Sequence, residues 1–377
     1  MAEQKRFSAG ITPYIRKANS KTYGTEVMMR DFIISLIPLI LFAWVKNGLI
    51  PFIDGNIGII QMLYPLIFIC IGGLSALVIE GIFFLIVNKD EDVKKKLKYS
   101  YGLIPGLLLA MILPLNTPIW VLIFGTVFGV VFGKLLFGGF GYNIFNPALI
   151  GYVFVIVAFY GEITANGGIF NANEINEVIS GVTPLAEFKN GQDVQATINA
   201  YGGLGNFFLG FIPGSIAETS SALCIVSFVY LLVRKTINWR IPVIYVGTVF
   251  ILSYIIGVSQ GYATDLTFTL FNVLSGGLLF GAVFMATEPV TSPRTPNGKI
   301  VFGLLLGVLT VMLRNISDMP EGVATSILFM NLFTPTLDNV FAKVRVSDKP
   351  KKAILNYAFV GILVVAIFGF TLLQLGA

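Results

Sequence analysis

A short polar tract, Ser180-Gly181-Val182-Thr183, lies between hydrophobic segments and is followed by Pro184. A threonine hydroxyl behind a small, flexible Ser-Gly pair can be reached by another enzyme, so Thr183 suits the acceptor of a covalently attached group. Pro184 restricts the backbone that follows. The alternative is a surface turn, because Ser, Gly and Pro favour turns in any protein. The tract by itself leaves both interpretations open.

A second tract, Gly138 to Pro147 (GGFGYNIFNP), joins two apolar segments. Its glycines allow close approach of the backbone. Asn143 and Asn146 can bond to freed backbone groups or to the polar edge of a bound cofactor ring. A helix-breaking turn capped by asparagine is the equally good alternative.

Three charged residues are further candidates. Glu80 lies inside an apolar run and predicts an ion or proton path, because acidic residues at membrane depth are costly. Glu288 lies where a predicted helix meets a loop, so it is either a cation ligand or a solvated helix end. Arg314 could pair with a phosphate, although a salt bridge to Asp318 or Glu321 is the stronger expectation.

Two residue types limit the chemistry. Histidine is absent from the sequence, which excludes His-ligated haem, His-ligated metal and a His general base. The two cysteines, Cys70 and Cys224, are too few for an iron–sulfur cluster, which usually needs four thiolates. We expect both to be small buried hydrophobic residues, with a cluster shared with another protein chain as the lesser alternative.

Composition places the chain in a membrane. Of its 377 residues, 55% are hydrophobic and 12% are charged, about half the charged fraction of a soluble domain. Because a bilayer-spanning helix needs roughly 20 apolar residues, we predict an all-α integral membrane protein with about eleven spans, some of them broken by Gly or Pro. The predicted spans are residues 32–45, 59–87, 101–115, 119–137, 144–160, 216–233, 242–258, 271–286, 300–313, 323–340 and 354–373.

The distribution of basic residues predicts the orientation. With the N-terminus in the cytoplasm, all of the 25 Lys and Arg residues except Lys46, Lys189 and Arg314 fall in cytoplasmic segments, as the positive-inside rule requires. The C-terminus and Thr183 are then extracytoplasmic. The net charge of +5 is a sum over loops, so no nucleic-acid partner is expected.

The domain organisation follows from these spans. We predict a cytoplasmic N-terminal arm (1–31), a first membrane repeat (32–160), an extracytoplasmic loop that carries Thr183 (161–215), a second membrane repeat (216–341) and a basic loop with an extra C-terminal helix (342–377). The third to fifth spans resemble the eighth to tenth. An offset of five spans inverts the second copy, a pattern typical of transporters. Chance similarity between Gly-rich apolar helices is the alternative.

Six tracts in order resemble the RnfD/NqrB family, which contains the D subunit of the Rnf ferredoxin:NAD oxidoreductase and the B subunit of the sodium-pumping NADH:quinone reductase. The resemblance covers roughly residues 10–345. The tracts are TPYIR at 12–16, GYNIFNP at 141–147, SGVTPL at 180–185, MATEPV at 285–290, PEG at 320–322, and ILFMNLF at 327–333 with Pro335 and Asp338.

The resemblance implies FMN esterified through its phosphate to Thr183, within a flavinylation motif that includes Ser180 and Gly181. It also implies a second, noncovalent riboflavin in some relatives. Asn143, Asn146 and Arg314 are candidate flavin contacts by the side-chain chemistry given above. A flavin transferase and the other subunits of a membrane oxidoreductase are the implied partners. Val182 replaces the usual alanine before the threonine, and Glu288 stands where aspartate is usual.

The expected function is that of a flavin-carrying subunit of an Rnf-type complex in a bacterial or archaeal cytoplasmic membrane. It would pass electrons between ferredoxin and NAD partners, coupled to Na⁺ or H⁺ movement. The chain has no complete active site of its own, because it lacks a dinucleotide-binding fingerprint. The B subunit of the quinone reductase is one alternative. A non-redox channel or secondary transporter with inverted repeats is another, and it needs no cofactor.

Overall fold

The computed structural model describes residues 24–87, 93–164, 183–189, 191, 193–262, 266–317, 322–346 and 350–376. Within these ranges the regular secondary structure is entirely helical. Ser180, Gly181 and the 12–16 tract lie outside the described residues, as do Asp318, Pro320 and Glu321.

The helices of the first half begin with α1 (Thr25–Trp44), which continues through a π-helical turn (Val45–Leu49) to Ile53. They are followed by α2 (Ile59–Val87), α3 (Val93–Ser100), α4 (Leu103–Ile112), α5 (Ile119–Gly133), α6 (Pro147–Thr164), α7 (Pro184–Lys189), α8 (Val194–Ala200) and α9 (Leu204–Leu209).

The second half contains α10 (Ser221–Val233), α11 (Arg240–Ser259), α12 (Thr267–Leu274), α13 (Leu278–Phe280, continued by a π turn over Gly281–Met285), α14 (Pro296–Ile316), α15 (Gly322–Val346) and α16 (Pro350–Gln374).

Many of these helices are apolar on all sides, which is typical of membrane spans. Among the described residues, six helical segments are long and apolar enough to cross a bilayer, and α12 with α13 makes a seventh if the bent pair is one span. The helices α4, α6 and α10 are apolar but shorter. Large hydrophobic side chains such as Leu74, Val78 and Leu85 are exposed along α2. The chain is a multi-pass membrane protein.

Each predicted span overlaps a helix or a helix pair, and the span 271–286 is one of the broken helices that the sequence predicts, because α12 and α13 meet at a bend of 57°. Two local expectations differ from the structure. The predicted loop 161–215 contains the short helices α7, α8 and α9 in its described part. Cys70 is exposed rather than buried, although Cys224 is buried as expected.

Glycine lets pairs of helices approach closely. A Cβ on Gly307 of α14 would lie 2.5 Å from the Cβ of Thr248 on α11, and one on Gly151 of α6 would lie 2.6 Å from the carbonyl oxygen of Gly125 on α5. Small residues at helix contacts are the usual means of tight packing in membranes. These contacts hold α14 against α11 and α6 against α5.

A segment of turns and bends, residues 210–220, precedes α10. The amides of Ile216 and Ala217 donate to the carbonyl oxygens of Leu113 (3.1 Å) and Met111 (3.0 Å), at the end of α4. Gly210 has a φ of 101°, a left-handed conformation that favours glycine. The segment therefore places residues 216–220 inside the bundle, beside the first helix.

Candidate functional site

Thr183 is the residue immediately before the short helix α7. Its carbonyl oxygen accepts hydrogen bonds from the amides of Ala186 (2.8 Å) and Glu187 (3.0 Å), and its Oγ1 accepts a longer one from Ala186 N (3.3 Å). Thr183 is half-buried. The arrangement is that of an N-cap followed by proline at the first helical position, and the hydroxyl makes only a weak contact with its own helix.

Three contacts attach α7 to the membrane bundle. Leu185 packs beside Gly276 at the break of the bent helix. Phe188 makes edge contacts with the rings of Phe268 and Phe271 on α12. The Nζ of Lys189 donates to the carbonyl oxygen of Ser317 at the end of α14, at 2.9 Å. The Thr183 backbone therefore sits on a rigid base although the tract before it lies outside the described residues.

Arg314 belongs to the last turn of α14, and its buried side chain contacts the C-terminal end of α12. Its guanidinium donates to the carbonyl oxygens of Asn272 (2.6 Å), Ser275 (3.0 Å) and Gly276 (3.0 Å), carbonyls that the end of the helix leaves without helical partners. These contacts favour a structural role in the bent helix over the predicted role as a phosphate ligand. The acidic partners expected from the sequence, Asp318 and Glu321, lie outside the described part of the chain.

A separate cavity brings together Asn143, Asn146 and Glu288 with Lys134. It has about 50 Å³ of space, enough for a few water molecules at roughly 10–15 Å³ each. Asn143 Nδ2 donates to Glu288 Oε1 at 3.3 Å and to the carbonyl oxygen of Phe145 at 3.1 Å.

Asn146 is the N-cap of α6, because its Oδ1 accepts from the amide of Ala148 at 3.0 Å. The capping alternative for this tract is therefore confirmed. The Nδ2 of Asn146 is buried and makes no hydrogen bond within the described residues, and the same is true of Thr236 Oγ1. Both residues line the cavity, so it offers polar groups to water or a ligand.

Glu288 is half-buried in this cavity and is not a solvated helix end. Burial raises its pKa from 4.5 to about 7, while hydrogen bonds from Thr291 and Asn143 and the charge of Lys134 oppose the rise. Thr291 Oγ1 donates to Glu288 Oε2 at 3.0 Å. A carboxyl group with a pKa near neutrality can bind and release a proton under physiological conditions.

Glu80 is fully buried in an ion pair with Lys134. The Lys134 Nζ lies 2.6 Å from Glu80 Oε1 and donates to the carbonyl oxygen of Ser100 at 2.5 Å. A Cβ on Gly102 would collide with the Glu80 carboxylate, so glycine is needed there. Because Lys134 also lines the cavity of Glu288, one buried lysine lies between the two acidic residues that the sequence singled out.

The loop that carries Glu288 is tied to α15. Thr334 Oγ1 and Asn331 Nδ2 donate to the carbonyl oxygen of Thr291, at 2.8 Å and 3.3 Å. Asp338 accepts from the amides of Arg294 and Thr295 at 2.9 Å each. The residues that follow the 285–290 tract are thus bound to the last part of the 327–338 tract.

A sequence model of the NQR2, RnfD, RnfE family matches residues 10–347. The chain belongs to this family. The match ends just before α16, so the C-terminal helix lies outside the region shared by the NQR2, RnfD, RnfE family, as the sequence predicted.

Several relatives within the family have assigned complexes. The chain is 36% identical, over 72% of its length and 84% of the relative's, to the D subunit of the proton-translocating ferredoxin:NAD(+) oxidoreductase complex of Clostridium ljungdahlii. It is 30% identical, over 89% and 93%, to the D subunit of the Na(+)-translocating ferredoxin:NAD(+) oxidoreductase complex of Acetobacterium woodii. It is 36% identical, over 58% and 53%, to the B subunit of the Na(+)-translocating NADH-quinone reductase of Chromohalobacter salexigens.

Five charged residues that the sequence did not single out are also buried: Asp31, Lys46, Lys134, Glu218 and Lys299. The positive-inside rule predicts a cytoplasmic loop position for Lys134 and an extracytoplasmic one for Lys46, yet the two residues are 2% and 4% exposed. Glu218 is 9% exposed. Lys46 is an exception to the positive-inside rule, and this exception is the one sequence signal that could have predicted its burial.

Proposed function

We propose that this protein is the flavin-carrying membrane subunit of an Rnf-type complex, with FMN esterified to Thr183. Electrons pass between ferredoxin and NAD partners through other subunits, coupled to translocation of Na⁺ or H⁺. Family membership supports the redox complex. Two of the relatives, both named as D subunits of ferredoxin:NAD(+) oxidoreductase complexes, support the ferredoxin:NAD type over the quinone reductase.

The position of Thr183 is the observation that carries the flavin assignment. Its hydroxyl is half-buried at the head of α7 and makes only the long 3.3 Å contact with Ala186 N, so esterification would break little existing structure. Leu185, Phe188 and Lys189 hold the following residues against α12 and α14. A group attached to Thr183 would therefore be kept at one end of the bundle, which electron transfer over a defined distance needs.

The attachment needs an activated flavin phosphate, for which a flavin dinucleotide is the natural donor. The Thr183 Oγ1–phosphorus bond forms as the bond to the adenylate breaks, AMP leaves, and the hydroxyl proton passes to a base of the transferase. The attached flavin supplies the redox chemistry, while the protein supplies position and electrostatics. A second riboflavin stays a prediction, and no residue is assigned to it.

The test is flavin fluorescence on a denaturing gel, with the protein produced together with its flavin transferase. We expect a fluorescent band from the wild type and none from Thr183→Val, which removes the nucleophile and keeps the side-chain volume. Thr197→Val is a matched control, because Thr197 lies in the same region on α8 and should leave the signal unchanged. Fluorescence that survives Thr183→Val would move the attachment elsewhere, and a dark wild-type band would refute it.

We further propose that the ion path passes Glu80, Lys134 and Glu288. Lys134 pairs with Glu80 at 2.6 Å, and its charge acts on Glu288. A cation or proton that binds one carboxyl group therefore changes the electrostatic interaction of Lys134 with the other. Glu288→Gln removes the charge with little change of shape. We expect loss of ion transport in vesicles, measured with ²²Na⁺ uptake and a pH dye, while the flavin band of the same preparation persists.

The topology proposed with this function has about eleven crossings, inverted repeats, a cytoplasmic N-terminus and an extracytoplasmic C-terminus, in a bacterial or archaeal cytoplasmic membrane. The bent helix α12–α13 supports the transporter-like element, because discontinuous helices are common at ion sites of transporters. The same bend also favours the rival function, a non-redox transporter, which the gel experiment separates from the flavoprotein.

A further inference from the structure

The side chain of Lys46 is buried in the first membrane helix, where a charged residue is costly. It lies in the π-helical turn Val45–Leu49 and is 4% exposed. π turns inside helices often mark functional positions. Gly48 in the same turn fits closely against the carbonyl oxygen of Met62 on α2, so the turn is held in place by its neighbour.

Oxygen atoms of the inserted 210–220 segment surround the Lys46 ammonium group. Its Nζ donates to the carbonyl oxygen of Ile212 at 2.5 Å and to Thr219 Oγ1 at 3.0 Å. Glu218 is adjacent to Thr219 in this segment, and its negative charge acts on Lys46. The adjacent Asn47 donates to the carbonyl oxygen of Ile216 at 3.1 Å, which ties the π turn to the segment a second time.

This cluster adjoins the break of the bent helix. The Glu218 carboxylate packs against Gly277, where a Cβ would collide with it. Gly276 and Gly277 have φ values of 63° and 62°, and the buried Ser275 Oγ beside them makes no hydrogen bond within the described residues. On the other half of the break, Arg314 covers the carbonyl oxygens.

We propose that the oxygens of Ile212, Thr219 and Glu218 form a site for an alkali cation such as Na⁺, and that the Lys46 ammonium group fills this site as a resident cation. Carbonyl, hydroxyl and carboxylate oxygens are the ligands that hard cations prefer. An ammonium group and a metal ion carry the same charge and would compete for the same oxygens. Removing the ammonium group should therefore open the site to Na⁺.

The proposed cation site is built from three separate parts of the chain, and a transport cycle would have to move such parts relative to one another. Lys46 comes from α1, its oxygen partners come from the 210–220 segment, and Glu218 touches the broken helix at Gly277. In transporters, coupling cations often bind at such discontinuous helices. The physiological meaning of this exchange rests on the ion transport proposed above, whereas the binding of Na⁺ can be measured without any redox turnover.

The test counts bound ²²Na⁺ at equilibrium in the assembled complex in detergent, with choline chloride used to hold the ionic strength constant. We expect Lys46→Met to bind one Na⁺ more per complex than the wild type. Adding Glu218→Gln to Lys46→Met should abolish the extra ion. Lys98→Met is the matched control for loss of one positive charge, because Lys98 is 61% exposed, and it should bind as the wild type does.

An equal Na⁺ count in Lys46→Met and the wild type would overturn the proposal, and so would an extra ion that persists in the double variant. If Lys46→Met does not accumulate as folded complex, Lys46→Gln serves for the same comparison, because it also removes the charge and retains a polar end. Repeating the count in a Thr183→Val background separates this site from the flavin assignment, since the Na⁺ count should not change there.

Discussion

The ion pair between Lys134 and Glu80 allows the most quantitative test of the buried charges. The side chains are 2% and 0% exposed, and their charged atoms lie 2.6 Å apart. Removing one partner of such a pair leaves an uncompensated buried charge, which typically costs about 3–5 kcal/mol. We therefore expect Lys134→Met to lower the free energy of unfolding by that amount.

The double variant Glu80→Gln/Lys134→Met should recover most of this loss. Replacing a buried pair by neutral groups of similar volume is often close to neutral in stability, so the two substitutions should be strongly non-additive. Equilibrium unfolding in SDS, followed by tryptophan fluorescence, measures the free energies of all three proteins under one condition.

The exposed pair of Lys98 and Glu26 provides the control. Its atoms lie 3.5 Å apart and both side chains are 61% exposed, so Lys98→Met should change the stability by less than ~1 kcal/mol. If Lys134→Met cost no more than Lys98→Met, or if the double variant were less stable than Lys134→Met alone, the argument for a desolvated, mutually dependent pair would be refuted.

Three further outcomes are expected. Because the folded pKa of Glu288 is raised to about 7, the folded protein binds more protons than the unfolded chain between pH ~4.5 and ~7. Its free energy of unfolding should therefore fall as pH rises through that window, by at most roughly 3 kcal/mol, and SDS unfolding of Glu288→Gln at a series of pH values should show no such fall. Gly277→Ala should destabilise the protein by roughly 1–3 kcal/mol, because its φ is 62° and a Cβ would collide with Glu218; Gly205→Ala, where a Cβ meets open space, is the control in the same unfolding assay. Arg314→Met should expose the end of α12 to faster amide hydrogen exchange without removing the fluorescent flavin band, and loss of that band would instead give Arg314 a role in flavin attachment.

Sequence alone was sufficient for the features that depend on local composition or on residues adjacent in the chain. Apolar length predicted every helix that lies along a proposed span, and the bounds of α2 were predicted to the residue. The tract around Thr183 and the tract that ends at Pro147 led to the family that the comparison confirmed. A hydrophobic run can be recognised in a short window of the sequence, and a motif can be recognised from the order of its own residues.

The partners of the buried charged residues could be identified only from the tertiary structure. Lys134 and Glu80 are 54 residues apart, and Lys46 meets Thr219 across 173 residues, so no window of sequence contains both partners. The sequence predicted that some spans are broken but did not locate the bend after Leu274, because hydropathy averages over a break that two glycines and the charge of Arg314 stabilise.

The sequence by itself therefore determined that this is a helical membrane protein of the NQR2, RnfD, RnfE family with a candidate flavin acceptor at Thr183. Only the tertiary structure decided which charges are buried and what each one contacts. The physical reason is that hydrophobicity is a property of each residue, whereas the compensation of a buried charge depends on oxygens that distant segments bring to it.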